Sequence, residues 1–168
     1  QISFWKMVYR RYTNFSMEAV DQSFTGSGLN QVATISRNGD LIHKCWLEFD
    51  GANTGEGATK TSQADARDLI DSVELEIGGQ QIDKQSGAWM KVWDELSCAP
   101  GKTMTQLTNG GTDTKRYVPL HFFFCQNPGL ALPIIALQYH EIRIKVNLVS
   151  DALSADKSFK LWVDYVYL

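Results

Sequence analysis

The chain has 168 residues, 43% of them hydrophobic and 21% charged, a composition that excludes disordered, collagen-like and coiled-coil proteins. Its length allows one hydrophobic core to fold without disulfides or metals. The net charge of −3 argues against direct nucleic-acid binding, and the longest apolar run, residues 130–139, is about half the length that a membrane-spanning helix needs, so we expect no transmembrane segment.

The first clearly patterned part of the chain is a predicted strand at residues 41–49. Its side chains alternate between two faces, as the period of two in a strand requires. One face carries Leu41, His43, Cys45, Leu47 and Phe49, and the other carries Ile42, Lys44, Trp46 and Glu48. Just before this strand, Asn38-Gly39-Asp40 joins two strand-like runs and predicts a two-residue type I′ hairpin.

The middle of the chain contains a second strand, a tight turn and a helix. Val73, Leu75 and Ile77 alternate with polar residues, and Gly78-Gly79 directly after them predicts an antiparallel hairpin. Residues 87–97 are predicted to form a helix with Ser86 as its N-cap. Four apolar residues fall at helical spacing in this segment: Trp89, Val92, Trp93 and Leu96.

Two further strands are predicted near the end of the chain, at residues 141–148 and 159–167, because both segments alternate strictly between apolar and polar residues. Residues 50–66 and 99–115 are rich in Gly, Thr, Asn and Gln and are predicted to be surface loops. Short strands, tight turns, long loops and one helix together favour an all-β, antiparallel sandwich.

Cysteine and histidine residues of the chain are candidate zinc ligands. The three cysteines, Cys45, Cys98 and Cys125, have no CxxC spacing, and we interpret them as free thiols. His43 shares a strand face with Cys45, and His121 with Cys125, and both residue types bind zinc. The spacings match no structural zinc pattern, and buried Cys and His are commonly core residues, so core packing without a metal is the preferred interpretation.

Motifs for catalysis are weak. The chain has no GxSxG motif, and its three histidines are dispersed, at His43, His121 and His140. Asp94 and Glu95 are adjacent in the predicted helix, where they point apart and are expected to lie in water. Residues 55–61 resemble a phosphate-binding loop, but Thr59 stands where that motif needs a glycine, so we interpret them as a solvated loop. No catalytic residue is assigned.

A long and specific pattern occupies residues 127–142, Asn-Pro-Gly-Leu-Ala-Leu-Pro-Ile-Ile-Ala-Leu-Gln-Tyr-His-Glu-Ile. It closely resembles the signature of the first jelly roll in major capsid proteins of nucleocytoplasmic large DNA viruses. Other segments resemble the same family in the family's order: Phe15-Ser16-Met17-Glu18, residues 35–42, Ile77-Gly78-Gly79-Gln80 with Ile82-Asp83-Lys84, and residues 117–120 leading into Phe122-Phe123-Phe124. The resemblance covers nearly the whole chain.

The signature residues are expected to have structural roles. They are Asn127, Pro128, Gly129, Leu132, Pro133, Tyr139, His140 and Glu141. We expect the first three to form a turn and Pro133 to interrupt regular strand pairing. In this interpretation they hold the fold and its loops, and they form no catalytic, cofactor or metal site.

The resemblance implies an eight-stranded antiparallel jelly-roll β-sandwich with one short helix in a loop insertion. Residues 1–168 would be a single jelly-roll domain, the first of two in a longer capsid protein, and the end of the sequence inside an alternating segment favours the same expectation. The resemblance further implies trimeric, pseudo-hexameric capsomers that assemble with neighbouring capsid proteins into an icosahedral shell, with minor capsid proteins beneath it. No catalysis or cofactor is implied. The virion, assembled in the host cytoplasm, is the expected location, and residues 99–115 are expected on its outer face.

Other functions remain open on the sequence alone. A carbohydrate-binding jelly-roll module would need an exposed aromatic cluster beside a polar groove. A single-jelly-roll minor capsid protein would keep the fold without a second domain. A cupin-like metalloenzyme would need clustered histidine and carboxylate ligands, which makes it the alternative with a sharp metal requirement.

Overall fold

A computed structural model describes residues 2–3, 6–7, 13–26, 28–50, 65–97, 115–149 and 158–168 of the chain. Residues 51–64 and 98–114 lie outside the described residues. The interiors of the two predicted loops, the phosphate-loop-like segment and Cys98 therefore lie outside them as well.

The described residues form antiparallel strands and one helix, α1 (Gly87–Ser97). The strands are β1 (Ile2–Ser3), β2 (Lys6–Met7), β3 (Ser16–Gln22), β4 (Phe24–Thr25), β5 (Asn30–Thr34), β6 (Leu41–Asp50), β7 (Ile70–Ile77), β8 (Gln80–Ser86), β9 (Lys115–Pro119), β10 (Leu132–Pro133), β11 (Ile142–Leu148) and β12 (Ser158–Tyr167). Four of them, β1, β2, β4 and β10, have only two residues each. The other eight described strands are longer, so the strand count approximately fits the predicted eight-stranded sandwich.

Two five-stranded sheets make up the sandwich. In sheet I the order is β10-β6-β12-β3, and β9 also pairs with β6. In sheet II the order is β4-β5-β11-β7-β8. All pairings between the described strands are antiparallel, and β1 and β2 form a separate small ladder. The predicted all-β antiparallel architecture with one helix is confirmed.

Side chains from both sheets build the hydrophobic core. The alternation predicted for the last two strands is confirmed, since Ile142, Ile144 and Val146 of β11 and Leu161 and Val163 of β12 are buried. The largest fully buried side chains include Tyr165, Phe122, Phe124, Ile42, Leu47 and Leu75. Burial of this apolar surface is the main stabilising contribution to the fold.

The predicted face assignment of the first strand is wrong at its N-terminal end. In the register of β6 with β12, Lys44 pairs with Asp164 but Ile42 pairs with Tyr165, so His43 is an extra residue on β6. Such a β-bulge reverses the facing of the residues before it. Ile42 and Cys45 therefore both lie in the core, although uninterrupted alternation predicts that they lie on opposite faces of the strand.

The hairpin predicted at Asn38-Gly39-Asp40 is also wrong. This segment connects β5 of sheet II to β6 of sheet I, so it crosses between the sheets. The φ angle of Gly39 is not positive, whereas a type I′ turn requires a positive φ at both central residues. Glycine is needed here for a close approach, because a Cβ at Gly39 would lie 3.0 Å from Cβ of Tyr165.

The hairpin predicted at Gly78-Gly79 is confirmed. It joins β7 to β8, and the two glycines have φ values of 60° and 84°. Both angles lie in the left-handed region that a type I′ turn uses and that side chains with a Cβ disfavour. The two positions differ in their surroundings: a Cβ at Gly78 would lie 2.6 Å from Nδ1 of His140, whereas a Cβ at Gly79 would meet nothing within 4 Å.

We expect Gly78→Ala to lower the free energy of unfolding by roughly 2 kcal/mol and Gly79→Ala by about 1 kcal/mol, because both strain the backbone but only the first displaces His140. Urea unfolding of the two variants measures the difference. Equal losses would show that the contact between Gly78 and His140 contributes nothing to stability.

Candidate functional site

The signature segment, residues 127–142, bridges the two sheets. At its start Leu132 and Pro133 form β10 and pair with β6 of sheet I. The backbone N–H of Ile134 then donates to the carbonyl of Asp40 at 3.0 Å. At its end Ile142 begins β11 of sheet II. The segment thus connects the edge of one sheet to the centre of the other.

A capped turn opens the signature segment. Oδ1 of Asn127 accepts a hydrogen bond from the backbone N–H of Gly129 at 2.9 Å, and Pro128 begins a single 3-10 turn that ends at Leu130. Proline suits this first helical position because its missing N–H would have no partner there. After this turn, Leu132 is buried, and strand pairing stops at Pro133, which is followed by a second 3-10 turn.

The second half of the signature segment is held by Arg37. Its guanidinium donates to the carbonyl of Leu137 at 2.5 Å and to the carbonyl of His140 at 3.1 Å. His140 in turn lies against Gly78 of the β7–β8 hairpin. Tyr139, between these two anchored carbonyls, has 93% of its surface exposed. It contributes nothing to the core of the described domain.

Charged residues on sheet II near this segment are paired with each other. Glu141 accepts a hydrogen bond from Arg143 at 2.5 Å, and its carbonyl accepts from Gly78 at 2.9 Å. Arg143 also lies 3.8 Å from Glu76, which forms an ion pair with Lys145. Opposite charges alternate across neighbouring strands, so this face carries little net charge.

An apolar recess of about 470 Å³ lies beside the start of the signature segment, on sheet I. The recess is lined by Phe15, Met17, Leu41, Pro128, Ala131, Val166 and Leu168, with His43, Lys44 and Asp164 as its polar members. Phe15 and Met17 are 53% and 52% exposed. Leu168 is held at the recess because its backbone N–H donates to Asp40 at 2.8 Å. A contiguous exposed apolar surface of this kind commonly marks a contact site.

The polar members of the recess are unusually placed. His43, the bulged residue, is buried, and its Nδ1 atom has no hydrogen-bond partner among the described residues. Burial raises the pKa of the Asp164 carboxyl above its ordinary value, although a hydrogen bond from Trp46 and the charge of Lys44 act in the opposite direction. Within the described part of the chain, the contacts of His43 Nδ1 and of the Asp164 carboxyl do not fully replace the hydration that burial removes.

The helix presents an apolar stripe to solvent. The N-cap predicted at Ser86 is confirmed, since its Oγ accepts from the backbone N–H of Trp89 at 3.2 Å. The apolar residues at helical spacing, however, do not face the core. Trp89, Val92 and Leu96 are 49%, 51% and 78% exposed, while the buried face of α1 carries Met90 and Asp94. We call these three residues and Trp93 the helix stripe. The ring centroids of Trp89 and Trp93 lie 5.9 Å apart.

A buried ionic network holds the helix beneath this stripe. Oδ2 of Asp94 accepts from Arg67 at 2.6 Å, and its Oδ1 lies 2.5 Å from Nε2 of His121. Arg67 also contacts both carboxylate oxygens of Asp65. Burial by itself raises the pKa of Asp65, but the hydrogen bonds from Arg67 outweigh it and leave that pKa below its ordinary value. The expectation that Asp94 lies in water is therefore wrong, and its exposed neighbour Glu95 is the solvated carboxylate.

The candidate zinc ligands do not form one cluster within the described residues. His43 lies at the bulge and Cys45 in the core, while His121 is paired with Asp94. In the described ranges, no group of three or more His, Cys, Asp or Glu side chains is placed to hold a metal ion. The same ranges contain no helix with the length and hydropathy needed to cross a bilayer.

We expect Asp94→Ala to lower the free energy of unfolding by about 3 kcal/mol, because it leaves Arg67 buried with one of its two carboxylate partners removed. The matched control is Glu95→Ala, one residue further along α1 and exposed, for which a change within about 0.5 kcal/mol is expected. Chemical unfolding followed by tryptophan fluorescence measures both. Equal effects of the two substitutions would contradict a stabilising role for the network.

Comparisons with known proteins agree on one family. Residues 3–168 match the family model described as "Major capsid protein N-terminus". The major capsid proteins of Pyramimonas orientalis virus and Paramecium bursaria Chlorella virus 1 are 42% and 44% identical to the chain, and both alignments cover 100% of it. They cover 48% and 43% of those two proteins, so the chain spans about half the length of the curated relatives it matches.

The fold agrees with a solved structure from the same group. It is the crystal structure of PBCV-1 VP54, fitted into a reconstruction of the virophage Sputnik. The match covers 99% of this chain and 45% of the VP54 chain, with a TM-score of 0.80 and 38% sequence identity.

Proposed function

The chain belongs to the major capsid protein family, and from this membership we propose that it is a structural component of a viral capsid. The observation that carries the proposal is the match of the whole two-sheet sandwich to the solved structure of VP54. Long hydrogen-bonded strands and tightly held connections suit a protein whose work is to keep its shape within a shell. We propose that it has no enzymatic activity and needs no cofactor.

We propose further that residues 1–168 form one jelly-roll domain, the first of two in a longer capsid protein. The relatives of about twice this length support the proposal. So does the apolar recess, because an exposed surface carrying Phe15 and Met17 is what a domain presents where another chain segment covers it.

The partners proposed are copies of the same protein, in trimeric pseudo-hexameric capsomers, then neighbouring capsomers of an icosahedral shell and minor capsid proteins beneath it. Stable interfaces bury about 1,200–2,000 Å² and are centred on aromatic and apolar side chains. The helix stripe and Tyr139 offer side chains of this kind on otherwise polar surfaces. The proposed location is the virion, assembled in the host cytoplasm.

Direct nucleic-acid binding is not part of the proposal. The chain has a net charge of −3, and the described cations of sheet II are used in ion pairs with Glu74, Glu76 and Glu141. A phosphate-binding surface needs clustered cations that are free to displace counterions.

A second candidate function is carbohydrate binding, and one observation favours it. Tyr139 lines a shallow polar depression with Gly78, His140, Glu141 and Arg143, and an exposed aromatic ring beside polar groups suits a sugar ring. A single exposed aromatic side chain is less than the cluster that such modules need, so assembly remains the first proposal.

We expect the longest natural polypeptide containing this chain to have a solution mass of three copies by light scattering, because each capsomer of pseudo-sixfold outline requires three chains of two sandwiches. Glycan binding by a protein that stays monomeric at high concentration would contradict assembly and favour the carbohydrate-binding alternative.

In the same polypeptide we expect Met17→Asp to lower the free energy of unfolding by at least about 2 kcal/mol, since it places a charge in a covered apolar recess. Ser16→Asp is the matched control: it adds the same side chain one position earlier in β3, where the residue is exposed and lies outside the recess. If both variants unfold like the unmodified protein, the recess is open to solvent and is not a contact surface.

A further inference from the structure

Two thiols meet where the edge of β6 is incompletely paired. β9 pairs with the C-terminal half of β6, beginning at Trp46, and β10 pairs with Leu41 and Ile42. Between these two partners the edge is covered by the turn that follows β9. The backbone N–H of Leu120 donates to the carbonyl of Cys45 at 3.0 Å, and Cys125 ends the 3-10 turn just beyond it.

The sulfur of Cys125 completes this edge. The 3-10 turn that Cys125 ends packs against β6, which places its side chain beside Cys45. The Cys125 sulfur interacts there with the thiol and the backbone N–H of Cys45. Cys45 is 1% exposed, whereas Cys125 is partly exposed. A disulfide joins two cysteines whose side chains face each other from neighbouring segments of backbone, and Cys45 and Cys125 are placed on two such segments.

The two thiols differ in chemical character. The hydrogen bond with Cys125 and burial both raise the pKa of Cys45. The hydrogen bond from the Cys45 thiol lowers the pKa of Cys125, against the opposing effect of burial, with further help from the backbone N–H of Cys45. Cys125 is thus the better nucleophile and the more accessible one, and Cys45 is a protonated thiol poised beside it.

We propose that Cys45 and Cys125 are a site of disulfide cross-linking, formed by exchange with a low-molecular-weight disulfide. The thiolate of Cys125 attacks one sulfur of the donor, which breaks the donor's S–S bond and releases one donor thiolate. Cys45 then loses its proton to solvent and attacks the sulfur of Cys125 in the mixed disulfide, releasing the second donor thiolate. The protein pair is oxidised by two electrons, and the donor is reduced to two thiols.

The bond would join β6 directly to the segment that leads into residues 127–142. It would close the loop from residue 45 to residue 125, which contains β7, β8, α1 and β9. A cross-link across a loop of this length restricts the unfolded chain more than the folded one. We therefore expect oxidation to raise the midpoint of thermal unfolding by about 10 °C.

The test uses the longest natural polypeptide containing this chain, incubated while folded with oxidised glutathione and then digested with trypsin without reduction. The three cysteines fall in different tryptic peptides, which begin after Lys44, Lys91 and Arg116. Mass spectrometry is expected to find the peptides of Cys45 and Cys125 linked to each other. Glutathione on Cys125 alone, linkage to Cys98, or three free thiols would each overturn the proposal.

Variants separate the cross-link from other effects of oxidant. Cys98→Ser is the matched control and is expected to keep both the linked peptide and the rise in unfolding temperature. Cys125→Ser is expected to lose both while its reduced-state unfolding midpoint stays near that of the unmodified protein, since serine can still accept the N–H of Cys45. If Cys125→Ser fails to fold, Cys45→Ala provides the same readout from the other side. A rise in unfolding temperature that persists in both variants would contradict the assignment.

Discussion

The backbone groups along one edge of β6 need partners, and three separate pieces of chain supply them. β9 covers one end and β10 the other, and the turn after β9 covers the interval between them. Residues 119–133 therefore follow the edge of β6. They leave this edge after β9 and rejoin it at β10. This requirement places the bulge at His43, the contact between Cys45 and Cys125, and the first turn of the signature segment within a short distance of each other along β6.

Alternation was sufficient to predict the strands, because a period of two leaves one face apolar wherever a strand is half-buried. It predicted β7, β11 and β12, and the glycine pair Gly78-Gly79 predicted the β7–β8 turn. It failed at His43, since a bulge adds one residue without any change in the pattern before it. It failed at Asn38-Gly39-Asp40 because hairpins and sheet-to-sheet crossings use the same turn residues, and only the pairing of β5 with β11 distinguishes them.

The buried network and the helix stripe could not be predicted from local sequence. Asp94 meets Arg67 and His121, each 27 residues away along the chain, and neither neighbour is signalled by spacing. Helical periodicity correctly located α1 but did not indicate which way its apolar residues face. In an assembling protein an apolar stripe has two possible destinations, the protein's own interior or a partner, and periodicity does not distinguish them. The inward face of α1 carries Met90 and the paired carboxylate of Asp94 instead.

The order of strands in sheet I also determines when that sheet can form during synthesis. Within the described residues β3 pairs only with β12, so residues 16–22 have no strand partner until residues 161–167 have emerged from the ribosome. β6 lacks its neighbour β12 for the same interval. Pairing between distant segments is slow, and apolar strand faces that wait for their partners are prone to aggregate. The nascent chain therefore carries β3 and β6 without these neighbours until β12 has been made, and both strands are exposed to aggregation during that interval.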